Sequence, residues 1–462
     1  MDPVRNKILE KSADSQTNRI SNGMDEEKLL EEAKRVLKLN DRDNYSVPAG
    51  ELYPHQWLWD SCFIAIGLRH LDIERAQTEL TSLLRGQWSN GMLPNIIFSE
   101  GHEYHRDREM WRSYLSPYSP DNVATSGLTQ PPMLAEAVIQ IGEKLKLPER
   151  RSWYSQMYPH LLSYHKWLYG DRDPHKDGLI ILVHPYEAGL DNSPPWVSEM
   201  RKHSMPWWVA AIEKLRLDGV VNLVRRDTRH IPPGQRISNV EAMVQWAAIR
   251  RLRNHAYNSE AILSHALFAV EDLAFNCIFV RANEHLKNIA ETIGRPLPEE
   301  LLAGMEKSKV ALEQLWDETD GVYYSRSFVS HKLIEEPTIA SLLPLYAGTI
   351  PKEKAERLVG LLANRKWFKA NWPVPSVPFN SSYFDPSRYW QGPTWVNTNW
   401  LIIKGLENYG FVDEANQLRQ KTVDMVAKNG INEYFNPLNG QPEGAPNFSW
   451  TAALTIDLLK TS

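Results

Sequence analysis

The sequence predicts an all-α fold in which helical hairpins close into a ring. Helices with apolar side chains three and four positions apart recur along the chain, and helices that are apolar nearly all round alternate with more polar ones. No sustained strand pattern separates them. An open stack of hairpins needs a polar capping repeat at each end, whereas the last predicted helix, residues 448–459, is as apolar as the interior ones. The first and last hairpins are therefore predicted to meet.

The first predicted helix spans residues 25–39. Its apolar positions fall three and four apart, and Asp25 is a suitable N-cap. Residues 1–24 are polar and have no periodic apolar positions, which predicts a disordered or loosely attached leader. No linker follows, so residues 25–462 are predicted to form a single domain.

The remaining predicted helices pair an apolar member with a more polar one. In chain order the pairs are 57–71 with 72–84, 129–145 with 150–168, 259–294 with 299–316, 338–346 with 352–362, and 393–409 with 412–427. Short strand-like pieces at 178–183 and 321–325 are predicted to be hairpins on the rim. The connections 88–129, 183–205 and 367–392 are longer than turns require, and their aromatic and proline content favours ordered functional loops.

Composition limits the classes of partner. The net charge of −5 favours neither nucleic acid nor an anionic membrane, and the chain has no apolar run of about 18 residues and no cleavable signal pattern. Two cysteines, Cys62 and Cys277, cannot form a disulfide framework, which predicts a protein of the reducing cytoplasm. The 17 tryptophans and 18 tyrosines favour a small carbohydrate as the partner, since flat rings stack on sugar faces. A homo-oligomer is compatible with the sequence.

Residues 184–196 are predicted to form a rigid loop that carries a catalytic acid. They combine prolines, aromatic residues, glycine and Asp191, a composition that suits neither a helix nor a strand. Aromatic walls disfavour the charged form of a carboxyl group and raise its pKa, so Asp191 is a candidate general acid. A purely structural role, in which Asp191 caps the following helix, is equally compatible with the sequence.

Three further clusters combine aromatic rings with polar side chains near the starts of helices. They lie at residues 53–60, 389–395 and 432–440, and the last contains Glu433 before a Pro-Leu-Asn-Gly turn. A carboxylate near a helix N-terminus often stabilises the helix, which is the alternative for Asp60. Because the three clusters occupy similar places in three hairpins, they are predicted to face a common opening.

These motifs resemble those of glycoside hydrolase family 63, and most of all its compact members that hydrolyse mannosylglycerate and glucosylglycerate. The resemblance covers residues from about 50 to the end and rests on four motifs in the family's order: Tyr53-x-x-Gln-x-x-Trp-Asp60, Glu187-x-Gly-x-Asp-Asn-Ser193, Tyr389-Trp-x-Gly-Pro-x-Trp395, and Glu433-Tyr-Phe-x-Pro-x-x-Gly440 with Phe448-Ser-Trp-Thr-Ala-Ala453. It implies a single (α/α)6 barrel and an inverting, exo-acting α-glycoside hydrolase that releases glucose or mannose. The scattered histidines make no metal-ligand cluster, and the sequence has no P-loop or dinucleotide fingerprint, so neither a metal nor a cofactor is expected.

The resemblance also implies roles for individual residues. Asp191 corresponds to the general acid and Glu433 to the general base, 242 positions apart, so only ring closure can bring them to one sugar. The residues implied to line the sugar pocket are Tyr53, Gln56, Trp59, Asp60, Gln130, Gly189, Trp390 and Trp395.

A carboxylate on the substrate calls for an arginine helped by tyrosine hydroxyls. The segment 225–236 resembles the family's loop for this purpose, and we favour Arg236 over Arg226; a solvated basic loop is the alternative. Tyr104 resembles the family's mobile lid tyrosine, and Tyr389 is expected to touch the same acid group.

Three positions depart from the family pattern. Tyr186 and Asn95 stand where the family tends to have Trp and His, so a stacking contact through Tyr186 and a polar contact are expected to differ. Phe448 stands where a glutamine is expected in a glucosylglycerate-specific enzyme, which leaves the sugar open. The alternatives are an α-glucosidase or trehalase-like hydrolase of neutral sugars, a helical carbohydrate-binding module, and a sugar epimerase, which would need a facing pair among His55, His184 and His230.

Overall fold

The computed structural model describes residues 23–223, 225 and 227–461. Over these ranges the α-helices are α1 (Gly23–Leu39), α2 (Leu58–Leu68), α3 (Ile73–Leu83), α4 (His105–Trp111), α5 (Leu134–Gly142), α6 (Leu147–Asp171), α7 (Pro185–Ala188), α8 (Pro194–His203), α9 (Trp207–Lys214), α10 (Asp227–His230), α11 (Asn239–Asn254), α12 (Ser259–Ser264), α13 (Leu273–Ile293), α14 (Glu299–Leu312), α15 (Pro344–Ala347), α16 (Lys352–Leu362), α17 (Val396–Asn408), α18 (Val412–Asn429) and α19 (Ser449–Lys460).

Short antiparallel strands lie in the connections between the helices. They are β1 (Gln56–Trp57), β2 (Ile96–Ile97), β3 (Val270–Glu271), β4 (Trp316–Asp317), β5 (Val322–Tyr323), β6 (Ser325–Ser327), β7 (Leu333–Ile334), β8 (Asn432–Phe435) and β9 (Pro442–Pro446). They pair as β1 with β2, β4 with β5, β8 with β9, and β3–β6–β7 as a three-stranded sheet.

Six helices form a closed inner ring, which confirms the predicted (α/α)6 barrel. Going round the ring, α2 packs on α5, α5 on α13, α13 on α15, α15 on α17, α17 on α19, and α19 back on α2. Each inner helix has an outer partner: α3, α6, α14, α16, α18 and, against α19, α1. The chain therefore closes through its first and last hairpins, as expected.

The inner helices are buried on all sides because their sequences are apolar on all sides. Every residue of α2 is buried, and so is nearly all of α19. The two helices touch at Gly67, where an added Cβ would lie 2.4 Å from the carbonyl oxygen of Ala453. A side chain at position 67 would push the first and last inner helices apart and open the ring.

Several boundaries differ from the prediction for local reasons. Helix α1 begins at Gly23, two residues before Asp25, the predicted N-cap position. The predicted helix 259–294 is divided into α12, β3 and α13, because the chain at 270–271 pairs with β6 and Asp272 then caps α13 by accepting a bond from the N–H of Phe275.

Part of the chain predicted as loop is helical. The segment 183–205 contains α7 and α8, and 206–258 contains α9, α10 and α11. Of these helices, only α8 was considered, as the helix following Asp191 in the alternative reading of that residue. The predicted hairpin at 321–325 is confirmed in the pairing of β4 with β5, whereas 178–183 forms only a single bridge, from Leu182 to Val270.

The predicted leader at 1–24 falls almost entirely outside the described residues. Over 23–223, 225 and 227–461, none of the helices is both long and apolar enough to span a membrane. Cys62 and Cys277 are buried free thiols, on α2 and α13 respectively.

Candidate active site

A cavity of about 360 Å³ lies at the N-terminal ends of several inner helices. Its volume falls in the range of small-molecule sites. Eleven of the fourteen residues predicted for the site line it: Tyr53, Trp59, Asp60, Gln130, Tyr186, Gly189, Asp191, Arg236, Tyr389, Trp390 and Glu433. The two candidate catalytic carboxyl groups therefore share one cavity.

Asp191 lies in the turn between α7 and α8, and not in a long loop as predicted. Helix α7 ends at Gly189, whose φ of 69° is left-handed and whose Cβ, if present, would lie 2.6 Å from the Trp59 ring. The N-cap position of helix α8 is Ser193, which makes no side-chain capping bond; Asp191 lies two residues before it and is therefore not the cap of this helix.

Neighbouring segments hold the Asp191 turn in place from two sides. The amide nitrogen of Gln245, on α11, donates to the carbonyl oxygen of Asp191 at 2.9 Å. On the other side, the N–H of Trp390 donates to the side chain of Asn192 at 2.9 Å, and the amide of Gln391 donates to the carbonyl of Asn192 at 2.8 Å. These bonds fix the position of the carboxyl group relative to the aromatic wall.

The surroundings of Asp191 suit a proton donor. Burial raises its pKa to about 7, against the opposing effects of the nearby Arg236 guanidinium and of a long hydrogen bond, 3.4 Å, from the hydroxyl of Tyr389; the charge of Glu433 raises it further. A carboxyl group with this pKa holds its proton below neutral pH and can still release it.

Glu433 has the opposite surroundings, because every group that contacts its carboxyl oxygens is a donor. Oε1 accepts from the Tyr53 hydroxyl at 2.8 Å and from Arg236 Nη1 at 3.2 Å, while Oε2 accepts from the N–H of Ala445 at 2.9 Å and from Nη1 at 3.3 Å. Such a set matches an ionised carboxylate.

The hairpin β8–β9 presents Glu433 through a local irregularity of the strand. The register shifts between Asn432 and Tyr434, at Glu433 itself. Opposite it, Gly444 has a φ of 69°, and a Cβ there would lie 2.6 Å from Glu433 Oε2. Glycine at 444 is therefore required for the hairpin to approach the carboxylate.

Arg236 is buried, so the alternative of a solvated basic loop is wrong at this position. Its Nη2 donates to the Tyr53 hydroxyl at 2.6 Å, and its guanidinium lies 4.2 Å from the centre of the Tyr389 ring. Tyr389 itself has a φ of 47°, a left-handed conformation that is strained for a residue with a side chain. Tyr389 and this arginine line the same cavity, and the contact of Tyr389 with the acid group of a substrate stays a prediction.

Three charged residues that line the cavity, Asp107, Arg225 and Asp227, were not predicted. Arg225 donates to both carboxylate oxygens of Asp227 and to the carbonyl of Ile237 at 2.8 Å, and Asp227 also accepts from Arg236 Nε at 3.5 Å. Arg225 and Asp227 both line the cavity. Arg226, the alternative considered for a substrate carboxylate, lies outside the described residues.

Asp60 occupies the first turn of α2 and faces the cavity. Burial raises its pKa well above the ordinary value, and the charges of Glu433 and Asp191 add to the effect. A protonated carboxyl group can donate as well as accept, which suits sugar hydroxyls. Beside it, Gln130 accepts a 3.5 Å bond from the N–H of Trp59, an otherwise unsatisfied donor of the first helical turn.

Three predicted site residues do not line the cavity. Successive side chains of a strand point to opposite sides. On β1, Trp57 lines the cavity, so Gln56 points away from the cavity, and its amide donates to Ser82 Oγ at 2.5 Å. Trp395 stacks behind Trp390, with the ring centres 3.7 Å apart, and so supports the wall without forming it.

Tyr104 is the third of these residues, and its ring centre lies 5.0 Å from that of His55. His55 does line the cavity. The role of Tyr104 as a lid stays a prediction.

The histidines do not support an epimerase. His55 lines the cavity, but His184 is buried beneath α11, where it bonds to the carbonyl of Gln245 at 3.1 Å, and His230 is exposed. Of the departures from the family pattern, Tyr186 and Phe448 line the cavity, whereas Asn95 is buried and bonds to Ser126. Among the described residues, His55 is the one histidine that lines the cavity, so no pair of histidines faces it.

Comparisons with known proteins agree with the motifs. Residues 53–451 match the family described as the mannosylglycerate hydrolase MGH1-like glycoside hydrolase domain. The chain is 38% identical to a mannosylglycerate hydrolase of Thermus thermophilus, over 92% of this chain and 99% of that protein, and 32% identical to a glucosylglycerate hydrolase of Mycolicibacterium hassiacum, over 93% and 97%.

A solved structure extends this agreement to the fold. It is the crystal structure of the glycoside hydrolase family 63 mannosylglycerate hydrolase from Thermus thermophilus in complex with Tris and D-glycerate. It superposes with a TM-score of 0.83 at 37% identity, over 93% of this chain and 99% of that one.

Proposed function

This chain belongs to the mannosylglycerate hydrolase MGH1-like family of glycoside hydrolases, and we propose that it cleaves an α-glycoside of glycerate with Asp191 as general acid and Glu433 as general base. The observation that carries the proposal is the contrast between these two carboxyl groups of one cavity. Asp191 is in surroundings that retain a proton, while Glu433 is surrounded by donors. An inverting glycosidase needs this pair of protonation states.

In the proposed reaction, the O–H of Asp191 gives its proton to the glycosidic oxygen as the bond from that oxygen to the anomeric carbon breaks. Glu433 takes a proton from a water molecule whose oxygen forms the new bond to the same carbon. Because the water attacks from the face opposite to the leaving group, an α-glycoside gives a β-sugar and free glycerate. The two carboxyl groups then exchange protons with solvent to restore their initial states.

The aromatic and polar wall divides into two proposed subsites. Trp59, Trp390, Asp60 and Gln130 would hold the sugar, the rings by stacking and the polar groups through hydroxyls. Arg236 would bind the glycerate carboxylate, because a guanidinium can present two parallel N–H donors to it.

The preferred sugar is proposed to be mannose. Phe448 stands where a glutamine is expected in a glucosylglycerate-specific enzyme, and its ring packs against Tyr53 and Trp450, with centres 5.9 and 4.8 Å away. This wall therefore offers an apolar surface and no amide for a sugar hydroxyl.

Purified protein should be assayed against mannosylglycerate, glucosylglycerate and trehalose. We expect kcat/KM to be highest for mannosylglycerate and lowest for trehalose, which carries no carboxylate. Asp191→Asn and Glu433→Gln should each lower kcat by orders of magnitude, while circular dichroism spectra stay the same. Faster hydrolysis of trehalose than of either glycerate glycoside would favour a trehalase-like enzyme, and near-normal activity in either variant would exclude that residue from its role.

The proposed location is the cytoplasm, where the buried thiols of Cys62 and Cys277 stay reduced.

A further inference from the structure

The carboxylate of Glu433 has no acceptor capacity left for a water molecule. A carboxylate offers about four lone-pair positions on its two oxygens. All are used by protein donors: the Tyr53 hydroxyl and Arg236 Nη1 on Oε1, and the Ala445 N–H and Nη1 on Oε2. A general base must accept a hydrogen bond from the water that it deprotonates. One of these donors therefore has to leave before Glu433 can act.

Arg236 is the donor best placed to leave. The N–H of Ala445 belongs to strand β9, which pairs with the strand that carries Glu433, and the Tyr53 hydroxyl makes the shortest bond of the set, 2.8 Å. The two bonds from Arg236 are the longest, 3.2 and 3.3 Å, and both come from one nitrogen. A single displacement of that nitrogen would free one position on each oxygen.

Arg236 is also the group that an incoming anion attracts. Its guanidinium lines the same cavity and already contacts two carboxylates, Glu433 and, at 3.5 Å, Asp227. Arg225 is a second arginine of the cavity, but its bonds to Asp227 and to the carbonyl of Ile237 leave it less free to move toward an anion. A substrate carboxylate would compete with Glu433 for Arg236.

We propose that Arg236 is a positioning residue that restrains the general base until the carboxylate of the substrate releases it. In the resting enzyme, Nη1 occupies one acceptor position on each carboxyl oxygen of Glu433. When a glycerate carboxylate binds, the guanidinium turns toward it, Glu433 accepts a water molecule in its place, and hydrolysis proceeds. The inference rests on the proposed function, and it makes the substrate's acid group a requirement for turnover as well as for binding.

An α-mannosyl fluoride isolates the step concerned. Its C–F bond breaks without a proton from Asp191, because fluoride is a good leaving group, so its hydrolysis reports on Glu433 and water alone. Glu433 takes one proton from water, the water oxygen bonds to the anomeric carbon, and fluoride departs with the electron pair of its bond. Because α-mannosyl fluoride carries no glycerate, it also leaves the glycerate subsite free for an added molecule.

The test measures fluoride release from α-mannosyl fluoride with and without D-glycerate, with glycerol as the matched neutral molecule. We expect saturating D-glycerate to raise kcat about tenfold or more, since general-base help is worth about 10²–10⁴-fold. Glycerol, which lacks only the carboxylate, should leave the rate unchanged. NMR should identify free mannose as the product, which excludes transfer of the sugar to glycerate.

The variant Arg236→Gln supplies the second comparison. Without the guanidinium, Glu433 is not restrained, and D-glycerate has no arginine to attract away from it. Fluoride release should therefore be equally fast with and without D-glycerate. The wild-type comparison stands on its own if this variant does not fold.

The possible failures are distinguishable. If the wild-type enzyme hydrolyses mannosylglycerate but D-glycerate leaves fluoride release unchanged or lowers it, the restraint is refuted and the proposed function stands. An equal increase by glycerol would also refute it. If mannosylglycerate, glucosylglycerate and the fluoride are all left intact, the proposed function itself fails.

Discussion

The substitution Asp191→Asn should make the folded state more stable at alkaline pH. The folded pKa of Asp191 is about 7 and its ordinary value is 3.8. Between these values the folded protein binds more protons than the unfolded chain, so the contribution of this group to stability falls as pH rises. The raised pKa then costs the folded state about 1.7 kcal/mol at pH 5, where the group must take up a proton on folding, and about 4 kcal/mol at pH 8, where its charge is buried. Asparagine does not titrate, so the variant escapes this cost.

The measurable quantity is the difference in Tm between the variant and the wild type at two pH values. Unfolding entropy of about 2.1 cal/mol/K per residue gives roughly 1 kcal/mol/K for 462 residues. The stability that the variant gains over the wild type is about 2.5 kcal/mol larger at pH 8 than at pH 5. The difference in Tm between variant and wild type should therefore be about 2–3 °C larger at pH 8. Scanning fluorimetry resolves this difference.

The matched control is Asp121→Asn, which removes an exposed carboxylate from a loop. Its effect on Tm should be the same at both pH values. If Asp191→Asn also shifts Tm equally at pH 5 and pH 8, the carboxyl group of Asp191 does not have a raised pKa, and the argument for its role as acid loses its physical basis.

Three further predictions follow from the site. With mannosylglycerate, kcat/KM should fall about tenfold per pH unit above the Asp191 pKa of about 7, because the acid loses its proton; a flat profile from pH 6 to 9 would contradict this. Gly189→Ala should lower the free energy of unfolding in urea by about 2–3 kcal/mol, through its left-handed φ and the approach to Trp59, whereas Gly360→Ala, with open space around it, should not lower it. Gln245→Met should lower kcat about tenfold or more with little change in KM, because it releases the carbonyl of Asp191; a change confined to KM would show that Gln245 acts on binding.

The ring of helices was predictable because its inner helices are apolar all round. Burial on every side leaves a continuous apolar pattern in α2 and α19, and closure follows from the apolar character of the last helix. The region 206–258 was missed because its helices carry mixed faces and lie outside the alternation. One local signal was readable there: Ser238 and Glu241 form a capping box at the start of α11.

Most of the cavity was predictable from motifs, but its internal bonds were not. The orientation of Gln56 follows from strand alternation at β1, a two-residue strand that no sequence pattern indicates. The pairing of Arg236 with Glu433 joins residues 197 positions apart, and nothing local to either one indicates the other. In the proposed mechanism this ion pair restrains Glu433, and it became visible only in the folded chain.

The most direct measurement is the anomeric form of the first product. Proton NMR should follow α-mannosylglycerate during the first minutes of hydrolysis, before the released sugar equilibrates. The two-carboxylate mechanism with Asp191 and Glu433 predicts that β-mannose appears first and α-mannose only later, by mutarotation. If α-mannose appears first, water does not attack from the side of Glu433 in a single displacement, and the assignment of acid and base is wrong.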